Sequence, residues 1–313
     1  MDKLQKWIQT TPYKTYTLTL ASADASFRKY YRLTNEDHSV IVMDSSLELD
    51  SLIPFIDVTQ RLLNAKVQAP QILAQEHSLG YLILEDFGNT QLLDVLSEQN
   101  FESLYLLAID TIITMQNAST EGLPLYDREF LHTEMELMQE WYLEKNLKLT
   151  LTHNQKKLIA DTLETISTLV LEQEQNRFVH RDFHARNIML TNKQAIGVID
   201  YQDAMSGAIT YDLVSLLKDC YIAFDRKKIE KLALTFRDKK KLALDDALFL
   251  KYFDFMGLQR HIKVLGIFSR LWLRDGKEGY LKDIPLTLAY TIQTALRYEE
   301  TKDFAHFLQE VTQ

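Results

Sequence analysis

The first third of the chain alternates apolar and polar side chains with the period of two expected of half-buried strands: residues 15–20, then 27–33 after a turn of small residues, then 39–43. Over 49–63 the apolar positions Leu52, Ile53, Ile56, Leu62 and Leu63 change to a helical period, and past Pro70 two further strands are predicted at 71–75 and 80–84. From Gln91 onwards the spacing is that of long helices. Thr152 with Gln155 gives a capping-box signal, after which Leu158, Ile159, Ile166, Leu169 and Val170 fall on one side of a helix. Helical spacing breaks into short β-branched runs around 178–200 and resumes over 211–224 and 243–268. The pattern predicts an α+β fold in two parts. Residues 1–88 form a small antiparallel sheet with one helix; residues 89–313 are larger and mainly helical, with an inserted segment of short strands.

That inserted segment carries the densest candidate chemistry. His180-Arg181-Asp182 is followed by Asn187, an apolar run ends at Leu190, a polar turn spans 191–194, and a second apolar run leads into Asp200 and Asp203. Each polar group thereby leaves or enters a strand beside the others. Such a set suits phosphoryl transfer, which asks little covalent work of a protein. It needs a carboxylate to orient an acceptor hydroxyl and take its proton, and hard oxygens to hold Mg²⁺ on the phosphates. Asp182 is the expected base, with Asn187 and Asp200 the expected Mg²⁺ ligands, because that ion takes one or two carboxylates and completes its shell with water and phosphate oxygens. Asp203 is a further candidate ligand or substrate contact, and Arg186 a candidate to offset developing charge. His180 is expected to buttress the loop rather than touch substrate. The order His-Arg-Asp…Asn is that of the protein-kinase catalytic loop.

Composition narrows the class. With 313 residues, 46% hydrophobic and 25% charged, the chain has enough apolar material for a large core, and its net charge of -9 argues against nucleic acid as a main partner. The basic run at 237–241 reads as a solvated helix end. A single cysteine, Cys220, excludes an internal disulfide and a cysteine zinc site, and its apolar setting predicts a buried, unreactive thiol. Trp141, Trp272 and Met256 read as core. No run approaches the ~18 apolar residues needed to cross a bilayer. The amphipathic start of the chain lacks the apolar centre of a signal peptide, so the expected location is cytoplasmic.

The nucleotide side is less regular. Kinases place a glycine-rich loop between their first two strands; here that position is held by the small residues Ala21 to Ser26, without glycine. Ser26 and Phe27 are candidates to offer backbone N–H groups to phosphate, with an ordinary hairpin turn as the alternative. Strand alternation puts Arg28 and Arg32 on one face and Lys29 on the other. Kinases carry a phosphate-binding lysine on the third strand, where this chain has Met43. Arg28 and Arg32 are therefore the leading substitutes, against a purely structural role. Asp86-Phe87-Gly88 spells the kinase metal motif but precedes the catalytic loop, so the backbone from Glu85 to Phe87 is expected to meet adenine, while Asp200 takes the metal position. Further on, Arg260 and Lys263 interrupt an apolar helix and are candidates for an anionic substrate group, against a solvated helical face.

His180 to Asn187, Ile199-Asp200 and Tyr211-Asp212-Leu213 together resemble the aminoglycoside phosphotransferase and choline kinase superfamily over almost the whole chain. The resemblance implies a two-lobed, protein-kinase-like fold, use of ATP and Mg²⁺, and a role for Asp212 in bracing the catalytic loop. Finer wording, including Ser26 to Arg32, Val42-Met43-Asp44, Ile209 to Tyr221 and Leu258 to Gly266, looks like the bacterial anomeric kinases of N-acetylmuramate and N-acetylglucosamine. That branch implies transfer to the C1 hydroxyl of the sugar during peptidoglycan recycling. No obligate protein partner is evident in the sequence. Methionine also appears on its third strand. The alternatives are a kinase of another small alcohol, such as an aminoglycoside or choline, and a nucleotide-binding pseudokinase, which only Met43 supports.

Overall fold

The computed structural model describes residues 2–22, 28–191 and 195–312. Packing divides the chain into two compact units, Met1–Val95 with Arg186–Ala204, and Leu96–Ala185 with Met205–Gln313. This differs from the single boundary expected after Gly88: the chain changes unit three times.

The first unit is built on five antiparallel strands, β1 Thr17–Ser22, β2 Lys29–Thr34, β3 Ser39–Asp44, β4 Ile72–Glu76 and β5 Tyr81–Glu85, in the order β1-β2-β3-β5-β4. Alternation fixes the two faces. Leu33, Val40, Val42, Tyr81 and Ile83 share one face and bury Leu4 and Ile8 of a short helix, Asp2–Ile8, that joins the single helix expected from the sequence. The expected helix runs Leu52–Asn64 and buries Leu52, Phe55, Val58, Thr59 and Leu62. A small hairpin, β7 Ile188–Leu190 with β8 Ile196–Val198, completes this unit, although it comes from far along the chain. It is joined by backbone bonds from Leu190 to Thr90 (2.9 Å) and from Val198 to Gln68 (2.8 Å). Gly197 permits the fit, since a Cβ there would lie 2.6 Å from the Phe87 ring.

In the second unit the 28-residue helix Asp246–Leu273 is the centre, buried through most of its middle, and it packs against Arg128–Leu137, His153–Leu171, Tyr211–Leu217 and Ile284–Ala295. Asp245 caps its start by accepting the Leu248 N–H at 2.8 Å. The capping box at Thr152 and Gln155 forms as expected. Gly266 brings two helices into backbone contact: a Cβ there would sit 2.3 Å from the Leu137 carbonyl carbon. Between the helices, β6 Arg177–Val179 pairs with β9 Met205–Gly207. β6 leads directly into the loop that holds Asp182.

Candidate active site

In the first unit, Asn187 enters β7 and Asp200 leaves β8, so the hairpin brings them together. The Ile199 N–H closes its base on the Asn187 carbonyl at 3.2 Å, and Asn187 Nδ2 donates to Asp200 Oδ2 at 3.2 Å. Gln202 Nε2 donates to Asp200 Oδ1 at 3.1 Å and lies 3.5 Å from Asp203 Oδ2. Asp200 has φ +63°, a left-handed conformation that aspartate tolerates better than most residues. Both Asp200 and Asp203 are exposed. Tyr201, in the place of the usual kinase phenylalanine, is buried: its ring lies 5.2 Å from Phe55 and its hydroxyl 2.8 Å from Thr59 Oγ1. Among the described residues no three His, Cys, Asp or Glu side chains gather as a metal site. An exposed carboxylate beside an amide nevertheless fits Mg²⁺ that is already carried on phosphates, because such an ion needs only one or two protein oxygens.

The nucleotide candidates divide. Ser26 and Phe27 lie outside the described residues. Arg28 precedes β2, so strand alternation does not govern it. It is buried and donates to Ser51 Oγ (3.3 Å) and the Ser51 carbonyl (3.4 Å), just before the helix Leu52–Asn64. Arg32 stays on its strand and grips the segment after β5, with Nε on Asp86 Oδ2 at 2.6 Å, Nη2 on Asp86 Oδ1 at 3.0 Å and on the Gly88 carbonyl at 3.1 Å, and Nη1 on Asn89 at 2.5 Å. The two arginines do not converge as expected. The Asp86 carboxylate is held by a bidentate ion pair, which accounts for the misplaced metal motif. Glu85 pairs with Val40 and donates its N–H to the Gln71 carbonyl, so the sheet already uses that part of the expected adenine edge. The Phe87 ring packs on Gly197. Met43 is fully buried between Tyr30 and Leu82. Arg186 is half-buried and opens the segment that carries Asn187.

In the second unit the loop around Asp182 is held from several sides. Asp212 accepts the His180 N–H at 2.8 Å and the Arg181 N–H at 3.1 Å, one through each oxygen. Burial pushes its carboxyl up to about 6, against those two bonds and the nearby cations. His180 is fully buried and accepts the Asp182 N–H on Nδ1 at 3.2 Å, which places the ring proton on Nε2 and makes the imidazole a prop for the loop. Arg181 has φ +77°, a costly conformation for a long side chain, and three contacts hold it there. Its N–H goes to Asp212, its carbonyl accepts Arg260 Nη1 at 2.8 Å, and its Nη2 reaches Glu134 Oε1 at 2.6 Å.

Asp182 itself has 45% of its side chain exposed, with Arg260 Nη1 4.0 Å away. Burial would raise its pKa, but Lys263 and Arg260, with His184 and Arg181, outweigh that and bring it down to about 2. Arg260 and Lys263 are buried, so neither lies on a solvated face, and each has internal partners. Lys263 Nζ donates to the Tyr211 hydroxyl at 2.6 Å and stands 3.5 Å from Glu134 Oε2. Tyr126 also donates to Glu134, and Gln259 Nε2 reaches the Tyr126 hydroxyl at 3.0 Å. Glu134 and Tyr126 escaped the sequence reading. The available signal was the spacing of Glu134 three residues after Leu131, on the buried side of its helix.

The sequence pattern of the phosphotransferase enzyme family matches residues 17–242. The chain belongs to that family. The N-acetylmuramate/N-acetylglucosamine kinase of Neisseria meningitidis is 40% identical to it, over 99% of this phosphotransferase and 95% of the relative. In three dimensions it is similar to aminoglycoside phosphotransferase APH(2")-IIa in its gentamicin complex (TM-score 0.66, 16% identity, 92% and 96% of the two chains covered). It is likewise similar to a choline/ethanolamine kinase family protein of Mesorhizobium loti (TM-score 0.67, 11% identity, 99% of each chain). The phosphotransferase is thus an ATP-dependent kinase of the α+β, kinase-like fold. Among its described residues no helix is long and apolar enough to cross a membrane.

Proposed function

We propose that this phosphotransferase transfers the γ-phosphoryl group of ATP to the anomeric C1 hydroxyl of N-acetylmuramate or N-acetylglucosamine, yielding the α-1-phosphate, in cytoplasmic recycling of peptidoglycan. One observation carries the substrate: 40% identity to a kinase of that name over nearly the full length of both chains. In this reading Asp182 orients the sugar hydroxyl and receives its proton. A carboxylate held down to about 2 is a weak base, so its main service is to fix the hydroxyl and hold a negative charge beside it. That suits a transfer whose transition state is loose and whose catalysis is mostly positioning and electrostatics. Asn187 and Asp200 are assigned to Mg²⁺, which they would hold through the amide and carboxylate oxygens and which would supply positive charge to offset that of the phosphates. Arg186 is assigned to the transferred group, and Asp203 stays with the substrate and metal side. His180 and Asp212 hold the loop.

The cations behind Asp182 favour an acceptor that is neutral or anionic over choline. Incubation with Mg·ATP and a panel of amino sugars, aminoglycosides and amino alcohols, followed by ³¹P NMR, tests the reading. An anomeric phosphomonoester on the N-acetylated sugars is expected; phosphate on a non-anomeric hydroxyl, or on an amino alcohol alone, would refute it.

A further inference from the structure

The loop around Asp182 is fastened at a second point. Asp212 holds its entry; at its exit the buried carboxylate of Asp219 accepts the Ala185 N–H on Oδ2 at 2.9 Å. The other oxygen, Oδ1, accepts the Tyr221 N–H at 3.0 Å. Asp212 lies in the first turn of the short helix Tyr211–Leu217 and Asp219 two residues past its end, so one short stretch of chain holds the loop on either side of Asp182. Arg260 feels the charge of both Asp182 and Asp219.

The residues joined by Asp219 have a common feature. His184, beside Ala185, sets its ring edge-on against Tyr221, with centroids 5.2 Å apart at 80°. Tyr221 continues to Phe268 at 6.3 Å, and Phe268 to Tyr280 at 5.1 Å. A row of four rings therefore starts two residues from Asp182, and His184 and Tyr221 in it are half-buried rather than core. Aromatic faces with a polar tip suit a sugar ring, which offers C–H faces and hydroxyl edges.

We propose that Asp219 is a positioning residue for the acceptor: by holding Ala185 and Tyr221 through one carboxylate, it sets the His184–Tyr221 corner against Asp182 so that the sugar hydroxyl meets that carboxylate in line. The inference rests on the sugar-kinase reading above. Its own content is that the Asp219 clamp governs acceptor placement rather than folding alone. A displacement of about 1 Å at a reacting group costs up to about 100-fold in rate.

The test compares wild type with Asp219→Asn, whose amide accepts through only one atom. The measurements are sugar phosphorylation, the share of ATP turnover that ends on sugar rather than water, and the melting temperature. The expected result for folded Asp219→Asn is a fall in kcat on sugar of about 10- to 100-fold, with a smaller share of ATP turnover reaching sugar. Loss of stability alone, with kcat and partition per folded enzyme as in wild type, overturns the proposal. Should Asp219→Asn not fold, Tyr221→Ala and Tyr221→Phe decide. A raised sugar KM and poorer partition in Tyr221→Ala, recovered in Tyr221→Phe, supports the proposal; a Tyr221→Ala enzyme equal to wild type overturns it. Failure of the wild type to phosphorylate any amino sugar refutes the function itself, and is seen separately in the control.

Discussion

Asp182 shows how a residue's chemistry depends on neighbours that are distant in sequence. Its carboxylate would be hard to ionise in a half-closed loop, yet Lys263 and Arg260 bring it down to about 2. Replacing it with asparagine keeps the shape and removes the charge and, in the proposed mechanism, the proton acceptor. Asp182→Asn should lower kcat by about 10² to 10⁴ while nucleotide affinity, read by calorimetry, stays within a few-fold; a near-normal kcat would remove Asp182 from the mechanism. The cations make a second expectation. Because they lower the Asp182 pKa, taking one away raises it, and burial, which also raises it, remains. The wild-type kcat/KM should therefore carry no acid limb from Asp182 between pH 5 and 8, whereas Lys263→Met should lose rate towards the acid end. Superimposable profiles would show that Lys263 does not tune the carboxylate. At this scale the polar motif was readable from sequence because spacing alone pointed to Asp182, Asn187 and Asp200. Glu134 and Asp219 were not, since a buried carboxylate is recognised by its partners, and those lie 47 and 34 residues away along the chain.

Among the elements, the long helix Asp246–Leu273 gathers most of the second unit, and two of its residues test how. Gly266 lets its backbone touch the Leu137 carbonyl, so Gly266→Ala must separate two helices. Overpacking of this kind costs about 1–3 kcal/mol, visible as a lower urea midpoint; an unchanged midpoint would show that the helices part freely. Asp254, fully buried, ties together four segments through Lys218 Nζ (2.6 Å), Arg226 Nη1 and Nη2 (2.8 Å each) and the Tyr298 hydroxyl (2.8 Å). Asp254→Ala leaves the Lys218 ammonium buried without its carboxylate, and breaking such a pair costs about 3–5 kcal/mol. A double change of Lys218 and Asp254 to apolar residues should cost less than Asp254→Ala alone in the same denaturation experiment; additive losses would argue that the pair does not interact. The strands were legible here to within about two residues because period two needs only local sequence. Arg28 was misplaced because it lies just outside β2, where alternation stops.

For the whole molecule, stability should follow pH through groups buried without charge. His261 donates from Nε2 to the Lys218 carbonyl at 2.9 Å and stacks on Tyr290 with centroids 4.9 Å apart. Burial, helped by the nearby Lys218 and Arg260 charges, pushes its pKa from 6.5 down to about 3. The stability this group contributes is present above pH 6.5 and is lost as pH falls towards 3, by up to about 1.4 kcal/mol per pH unit. Asp212 acts oppositely: raised to about 6, it favours the folded state below pH 3.8, and that contribution disappears as pH rises through 6. Comparison of wild type with His261→Gln isolates the first effect. The stability of the variant relative to wild type should rise as pH falls from 6.5 to 4.5, and parallel curves would contradict a buried neutral imidazole. The discontinuous first unit yields another expectation. A fragment of residues 1–95 lacks the hairpin that covers Phe87 and Tyr201, the partner of Phe55 and Thr59. It should show no cooperative unfolding transition by circular dichroism; a sharp one would show that the sheet is self-sufficient. Sequence by itself determined the five strands of the first sheet, the helices Leu52–Asn64 and His153–Leu171 and the spacing of the polar motif, because periodicity and close spacing are local properties of the chain; the helical run expected over 211–224 instead stops at Leu217. Tertiary structure alone decided which unit receives residues 186–204, where Arg28 and Arg32 spend their charge, and why Asp182 stays ionised. Those outcomes depend on groups far apart in sequence whose burial and electrostatic fields exist only once the chain has folded.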